Sequence, residues 1–212
     1  MVVAYAVNGA DFLTFGVHVT ASGGIVNGLK RKEVKRYDWK EYDGEVVDLS
    51  TPRYEAREIT LECALVASSP SEFLSRLNAF VAAWDKEGLQ RLVVTIDPVK
   101  PLIYDVYRSD EVKVNKEWSS GSMCGTLSLK FREPEPLKRV LKHTCSDVAV
   151  ACSITASGGR VLTAGWGDGL FDSVAVAALT HNYTKTGVYY ITLTGADGVT
   201  LDANTVEIWG RL

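Results

Sequence analysis

Four cysteines, three histidines and a scatter of carboxylates are the residues of this 212-residue chain best suited to chemistry, and their spacing argues against most of it. Cys63, Cys124, Cys145 and Cys152 include no C-x-x-C pair, the spacing that short zinc loops and dithiol redox motifs need. Cys63 sits on the apolar phase of a strand, Cys124 lies near Gly121 and Gly125, and Cys145 and Cys152 bracket an apolar stretch. A Cys145–Cys152 bridge would need an oxidising compartment and a geometry that spacing alone does not set, so buried thiols are expected. His18, His143 and His181 are isolated from one another and from any motif that puts a nucleophile beside a base. Asp168 and Asp172 offer calcium two carboxylates where a cage needs about six to eight oxygens, and EF-hand spacing is absent. The expectation is no catalytic residue, no metal and no cofactor.

Residues 27–44 are the most polar stretch. Lys30, Arg31, Lys32, Lys35, Arg36 and Lys40 interleave with Tyr37, Trp39 and Tyr42. Cations tracking phosphate and rings stacking on bases would suit single-stranded nucleic acid. Glu33, Asp38, Glu41 and Asp43 oppose that field. Tyr, Trp and Arg are also enriched at protein–protein hot spots, which makes Arg36, Tyr37, Trp39 and Tyr42 candidate oligomer-interface residues on a solvated loop or hairpin.

The chain around these residues is that of a folded protein, 46% hydrophobic and 23% charged, with a net charge of −3. No general attraction to nucleic acid or to an anionic membrane follows from that charge, and no apolar run reaches the roughly 18 residues of a membrane span. The first seven residues lack a basic lead and are too short for a signal peptide, so synthesis in the cytoplasm is expected. Charge is unevenly spread: all but 3 of the 23 Lys and Arg and all but 6 of the 26 Asp and Glu precede residue 144. That step, with Pro134 and Pro136, predicts two domains, 1–134 and 144–212, joined by a linker over 135–143.

The fold class is mainly β. Residues 57–65 alternate, with Ile59, Leu61, Cys63 and Leu65 on one face and Glu58, Thr60 and Glu62 on the other. Further strands are expected at 15–20, 45–49, 92–97, 103–107, 111–118 and 126–131. One amphipathic helix interrupts them over about 69–88. Ser69-Pro-Ser-Glu72 reads as a capping box with Pro at the first helical position, Phe73, Leu77, Phe80, Val81 and Trp84 form one stripe, and Gly88 is placed to terminate it. The second domain reads as a small sandwich with strands at 148–155, 160–166, 174–179, 188–194 and 205–209. Within it Trp166, Tyr183 and Tyr189 are expected to pack inward and Asp168 to form a turn. Asn182, Tyr190 and Trp209 are candidate surface contacts for sugar or protein.

The element order over 8–134, from Asp11-Phe-Leu-Thr-Phe-Gly16 through the 57–65 strand and the Ser69–Gly88 helix to Gly125-Thr-Leu-Ser-Leu-Lys-Phe131, resembles the N-terminal domain of phage distal tail proteins. The resemblance implies a β-barrel-like sandwich with a flanking helix, in a subunit that forms a homo-oligomeric, hexameric ring between tail tube and tip proteins. Tail tube proteins share that fold, and a tube subunit with an immunoglobulin-like appendage is the neighbouring reading. Trp166-Gly-Asp-Gly169 followed by His181-Asn-Tyr and Gly187-Val-Tyr-Tyr-Ile-Thr-Leu193 resembles PKD-type immunoglobulin-like domains. That likeness implies a non-enzymatic module contacting host-surface protein or glycan. Together they imply a virion component of a phage or prophage, with other tail proteins as partners, no specific nucleic acid and no membrane insertion. A free surface adhesion module is the alternative from a different class.

Overall fold

The structure, a computed structural model, describes residues 3–41, 43–119, 122–157, 161–175 and 178–212. It is mainly β with one α-helix, built around two hydrophobic cores. The first half contains β1 (Ala4–Val7), β2 (Ala10–Asp11), β3 (Val17–Gly23), β4 (Arg36–Tyr37), β5 (Val46–Val47), β6 (Arg57–Ala67), α1 (Pro70–Trp84), β7 (Gln90–Thr95), β8 (Leu102–Arg108), β9 (Lys113–Ser119) and β10 (Ser122–Glu133). The second contains β11 (Arg139–Cys145), β12 (Cys152–Ser157), β13 (Leu162–Gly165), β14 (Phe171–Val174), β15 (Ala178–His181), β16 (Gly187–Thr194), β17 (Gly198–Leu201) and β18 (Thr205–Trp209).

In the first half the antiparallel strands run in the order β2-β1-β7-β8-β10-β6-β3, with β9 branching from β10. The sheet forks because β10 changes partner: its first seven residues pair with β9 and its last turn to β8 through Phe131 and Arg132. The barrel-like closure expected from the sequence is absent among the described residues; β2, β3 and the outer side of β9 are edges of an open sheet. The alternation in β6 is realised fully, with Ile59, Leu61, Cys63 and Leu65 buried. Its register against β10 puts Leu61 opposite Leu129 and Cys63 opposite Leu127, so two apolar faces coincide.

Helix α1 covers this sheet. The Ser69 hydroxyl accepts from the Glu72 amide at 3.2 Å, and the Glu72 carboxylate accepts from the Ser68 amide at 2.8 Å, one residue earlier than a capping box would place it. Burial of Phe73, Phe80 and Trp84 follows the expected stripe, and the Trp84 ring lies 4.3 Å from Phe131. The helix stops at Trp84 with Asp85 as its cap; Gly88, at φ +78°, belongs to the turn beyond. Gly125 on β10 lets the helix approach, since a Cβ there would meet the Phe73 ring at 2.6 Å.

The second half is a sandwich of a five-stranded sheet, β14-β13-β16-β11-β18, and a three-stranded one, β15-β12-β17, sharing one core. Residues 139–143, expected as linker, are instead the body of β11, which pairs with β16 and β18 in the middle of the larger sheet. The prolines at 134 and 136 do mark a connection, but a strand begins three residues later. The single strand expected at 174–179 is replaced by β14 and β15, in different sheets, with 176–177 outside the described residues. Arg160, the first residue of another expected strand, also lies outside them.

Phe73→Ala, which empties a buried ring site between α1 and β10, is expected to cost about 3–5 kcal/mol in a denaturant melt. Leu74→Ala, one residue along on the exposed face of the helix, should change stability by less than about 0.5 kcal/mol.

Candidate functional site

The polar excursion between β3 and β6 carries the residues singled out for contact. Its only regular structure among the described residues is the two-rung ladder β4–β5, with Arg36 opposite Val47 and Tyr37 opposite Val46, and a bridge from Arg31 to Tyr54. So short a ladder buries little, which is why the segment keeps its charge: Arg36 meets Glu45 at 3.9 Å in solvent, and Lys30 meets Glu55 at 2.8 Å. The Tyr37 and Trp39 rings stack on each other at 5.9 Å and remain 49% and 55% exposed. Val46 and Leu49 are exposed nearby in the chain. Tyr42, the fourth predicted residue, lies outside the described residues.

A second constellation, at the meeting of the two halves, escaped the sequence. Arg91 on β7 grips Asp105 on β8 with two parallel bonds, Nε to Oδ1 at 2.8 Å and Nη2 to Oδ2 at 3.0 Å. The same guanidinium donates to Thr192 Oγ1 at 2.9 Å, to the Gly165 carbonyl at 3.2 Å and to the Tyr190 carbonyl, all in the second half. Thr192 in turn donates to Asp105 at 2.5 Å. Gly165 is required here, because a Cβ would meet Arg91 Nη2 at 2.7 Å. Burial would raise the Asp105 carboxyl, but the Arg91 charge and the Arg91 and Thr192 hydrogen bonds outweigh it and hold it below the ordinary range.

Beside this grip lies a second buried set. Lys138, in the connection, bonds Glu133, and Arg57 Nε approaches the other Glu133 oxygen at 3.2 Å. Both cations lie against the Tyr104 ring, at 4.8 and 5.0 Å, while the Tyr104 hydroxyl donates to the Ile25 carbonyl at 2.6 Å. Burial dominates these groups, pushing Glu133 up, Lys138 down and Tyr104 up to about 12. Trp209 belongs to this junction too. Expected at the surface, it is half-buried against the first core, with its indole donating to the Pro101 carbonyl at 3.0 Å. Tyr190 is likewise half-buried and lines a cleft of about 440 Å³ between the halves, with Asn8, Arg91, Asp168 and Phe171. Of the three predicted surface contacts in this half, Asn182 alone is exposed.

Trp166 and Tyr183 are buried as expected, and the Tyr183 hydroxyl donates to the Trp166 carbonyl at 2.9 Å. His143 and His181, isolated in sequence, meet the same Tyr183 ring: His143 stacks on it at 5.3 Å and His181 meets it edge-on at 4.7 Å. Asp168 accepts from the Leu170 amide at 3.1 Å and contacts His181 Nε2 at 2.7 Å; Asp172 accepts from the Trp166 indole at 2.6 Å. Both carboxylates are thus engaged by protein groups. All four cysteines are free thiols. Among the described residues, one group of metal-competent side chains comes together, His143, Cys152 and Asp202.

Asp105→Asn keeps the volume but removes the charge that neutralises Arg91, and is expected to cost about 3–5 kcal/mol at pH 7. Because the folded state depresses the Asp105 pKa, its contribution is complete above about pH 4 and is lost as acid protonates it. The gap between wild type and variant in a denaturant melt should therefore shrink below that pH, and limited proteolysis of the variant should favour the 134–138 connection.

No family model and no curated protein matches this chain. Solved structures do resemble it, two of them as follows. One is the baseplate of phage p2 in its activated conformation with Sr, at 10% identity and TM-score 0.51, covering 100% of this chain and 93% of that one. The other is the SPP1 Dit (gp 19.1) protein, described as a paradigm of the hub adsorption apparatus in phages infecting Gram-positive bacteria, at 14% identity and TM-score 0.47, covering 98% and 93%. This chain shares the fold of a phage baseplate protein over its full length.

Proposed function

We propose that this protein is a structural subunit of a phage or prophage tail tip, a distal-tail-like component that assembles with copies of itself into a ring and joins the tail tube to tip or host-recognition proteins. The observation that carries the reading is the full-length fold likeness to a phage baseplate chain, which covers both halves of this one. The surfaces agree with it. Exposed sheet edges among the described residues, β2 and β3 included, leave backbone donors and acceptors available for pairing, and symmetric association is the usual way such edges are covered. The stacked Tyr37–Trp39 pair on a weakly structured hairpin has the aromatic character of an interface anchor, with Arg36 and Tyr42 beside it in sequence. Balanced charge before residue 144 permits docking without a positive field that would trap DNA passing through a tube. Such a role needs no nucleophile.

The second sandwich, in this reading, is a PKD-like or immunoglobulin-like module whose packing rests on Trp166 and Tyr183, with Asn182 available to a host-surface protein or glycan. The two domains divide at the 134–138 connection. The assembled protein belongs to the virion after synthesis in the bacterial cytoplasm.

Mass photometry and negative-stain microscopy of the purified chain should show closed rings of about six copies. Trp39→Ala is expected to weaken ring closure by about 2 kcal/mol, roughly 30-fold in the association constant. Long stacked tubes would make the protein a tail tube subunit instead. A strict monomer at high concentration, unchanged by added tail partners, would overturn both readings.

A further inference from the structure

The second sandwich ends in an arrangement that assembly does not require. His143 comes from β11, Cys152 is the first residue of β12 and Asp202 sits in the turn between β17 and β18, so three separate segments deliver one nitrogen, one sulfur and one carboxylate to a single place. The three donor atoms all lie within 4.8 Å of one another, and His143 Nδ1 is 3.9 Å from Asp202 Oδ1. At their centre is the Thr205 hydroxyl, 2.7 Å from His143 Nδ1, 2.8 Å from Asp202 Oδ1 and 3.7 Å from Cys152 Sγ.

We propose that His143, Cys152 and Asp202 form a zinc site, holding one Zn²⁺ through Nδ1, Sγ and Oδ1. Zinc bonds of about 2.0 Å to nitrogen and oxygen and 2.3 Å to sulfur put these donors roughly 3.3–3.5 Å apart in a tetrahedral site. The His143–Asp202 pair must close by about 0.6 Å and the largest separation by about 1.3 Å. The donor set selects the ion: thiolate and imidazole suit zinc, whereas calcium and magnesium require oxygen throughout. Two of the donors are oriented from outside. The His143 ring is held by stacking on Tyr183, and Asp202 is fixed by the Ser153 and Asn204 amides, each at 2.9 Å. His143 and Cys152 are buried while the Asp202 side chain is 22% exposed, so the ion and a water for its fourth position enter from the Asp202 side. On binding, the Cys152 thiol proton leaves to solvent and the His143 proton resides on Nε2, freeing the Nδ1 lone pair; the Thr205 hydroxyl rotates out of the centre.

The full chain, stripped with chelator and titrated with Co²⁺, reads the site directly. Expected are a sulfur-to-cobalt charge-transfer band in the near ultraviolet and tetrahedral ligand-field bands in the visible, saturating at about one equivalent and displaced by Zn²⁺. Cys152→Ser should lose the near-ultraviolet band, while Cys63→Ala keeps it. Since Cys152 is buried, Asp202→Asn at the partly exposed position gives a second reading: Zn²⁺ should raise the melting temperature of wild type, and this rise should be lost in the variant. Absence of saturable Co²⁺ binding, Co²⁺ bound without the sulfur band, a band surviving in Cys152→Ser, or a Zn²⁺ shift retained in Asp202→Asn would each overturn the proposal and leave the cluster as a hydrogen-bonded knot around Thr205.

Discussion

The arrangement of the two halves depends on one desolvated guanidinium. Arg91 leaves the first sheet and spends its donors on Asp105 in its own half and on Gly165, Tyr190 and Thr192 in the other. A buried charge pair contributes little net stability if hydrophobic residues could replace it, yet leaving one member unpaired is costly. Once Arg91 is placed, Asp105 must face it, β13 must present a carbonyl and no side chain at Gly165, and β16 must bring Thr192 to the same point. The docking of the two halves is specified by hydrogen-bond direction as much as by apolar area.

The Glu133–Lys138–Arg57 set works differently. There burial outweighs the ion pairs, so the charges are held at a cost, and the neighbouring Tyr104 ring supplies a face to two cations at once. The Arg91 set is bidentate and accepted by groups of both halves, whereas Arg57 and Glu133 each leave a buried atom without a hydrogen-bond partner. Of the two, the Arg91 grip is the better source of stability, and the Glu133 set is the better source of register for the chain entering β11.

Much of the first half could be read from local pattern. The Ile59–Leu65 alternation and the Ser69–Trp84 stripe each carry their period in a short window, and both appear in the structure with the expected faces buried. What failed did so for identifiable reasons. Strand β11 opens with Lys138 and Arg139 before it and within it, and charge near two prolines reads as linker; Lys138 is buried only because Glu133 waits for it five residues back. Strands β1, β2 and β17 are four residues or fewer, too short for a period to show. The aromatic hairpin was visible as composition, while the stacking of its rings was not. Arg91, Asp105 and Thr192 are separated by tens of residues, with no periodicity to link them, and the same is true of His143, Cys152 and Asp202. Trp209 was misplaced because its strand pattern says which way a side chain faces within its own sheet and nothing about a second body packed beside it.

The path of the chain through the second half has a mechanical consequence. It departs from the first core after Glu133 and comes back to it at Trp209 and Leu212, with the Leu212 amide donating to the Lys138 carbonyl at 3.0 Å. Departure and return are therefore side by side, and the sandwich between them is held like a bracket by two adjacent feet. Torque applied to its far end cannot be relieved by rotation about a single covalent tether; it must peel two attachments together. A part built this way transmits a tug or a twist to the body beneath it, where a bead on one flexible string would absorb it.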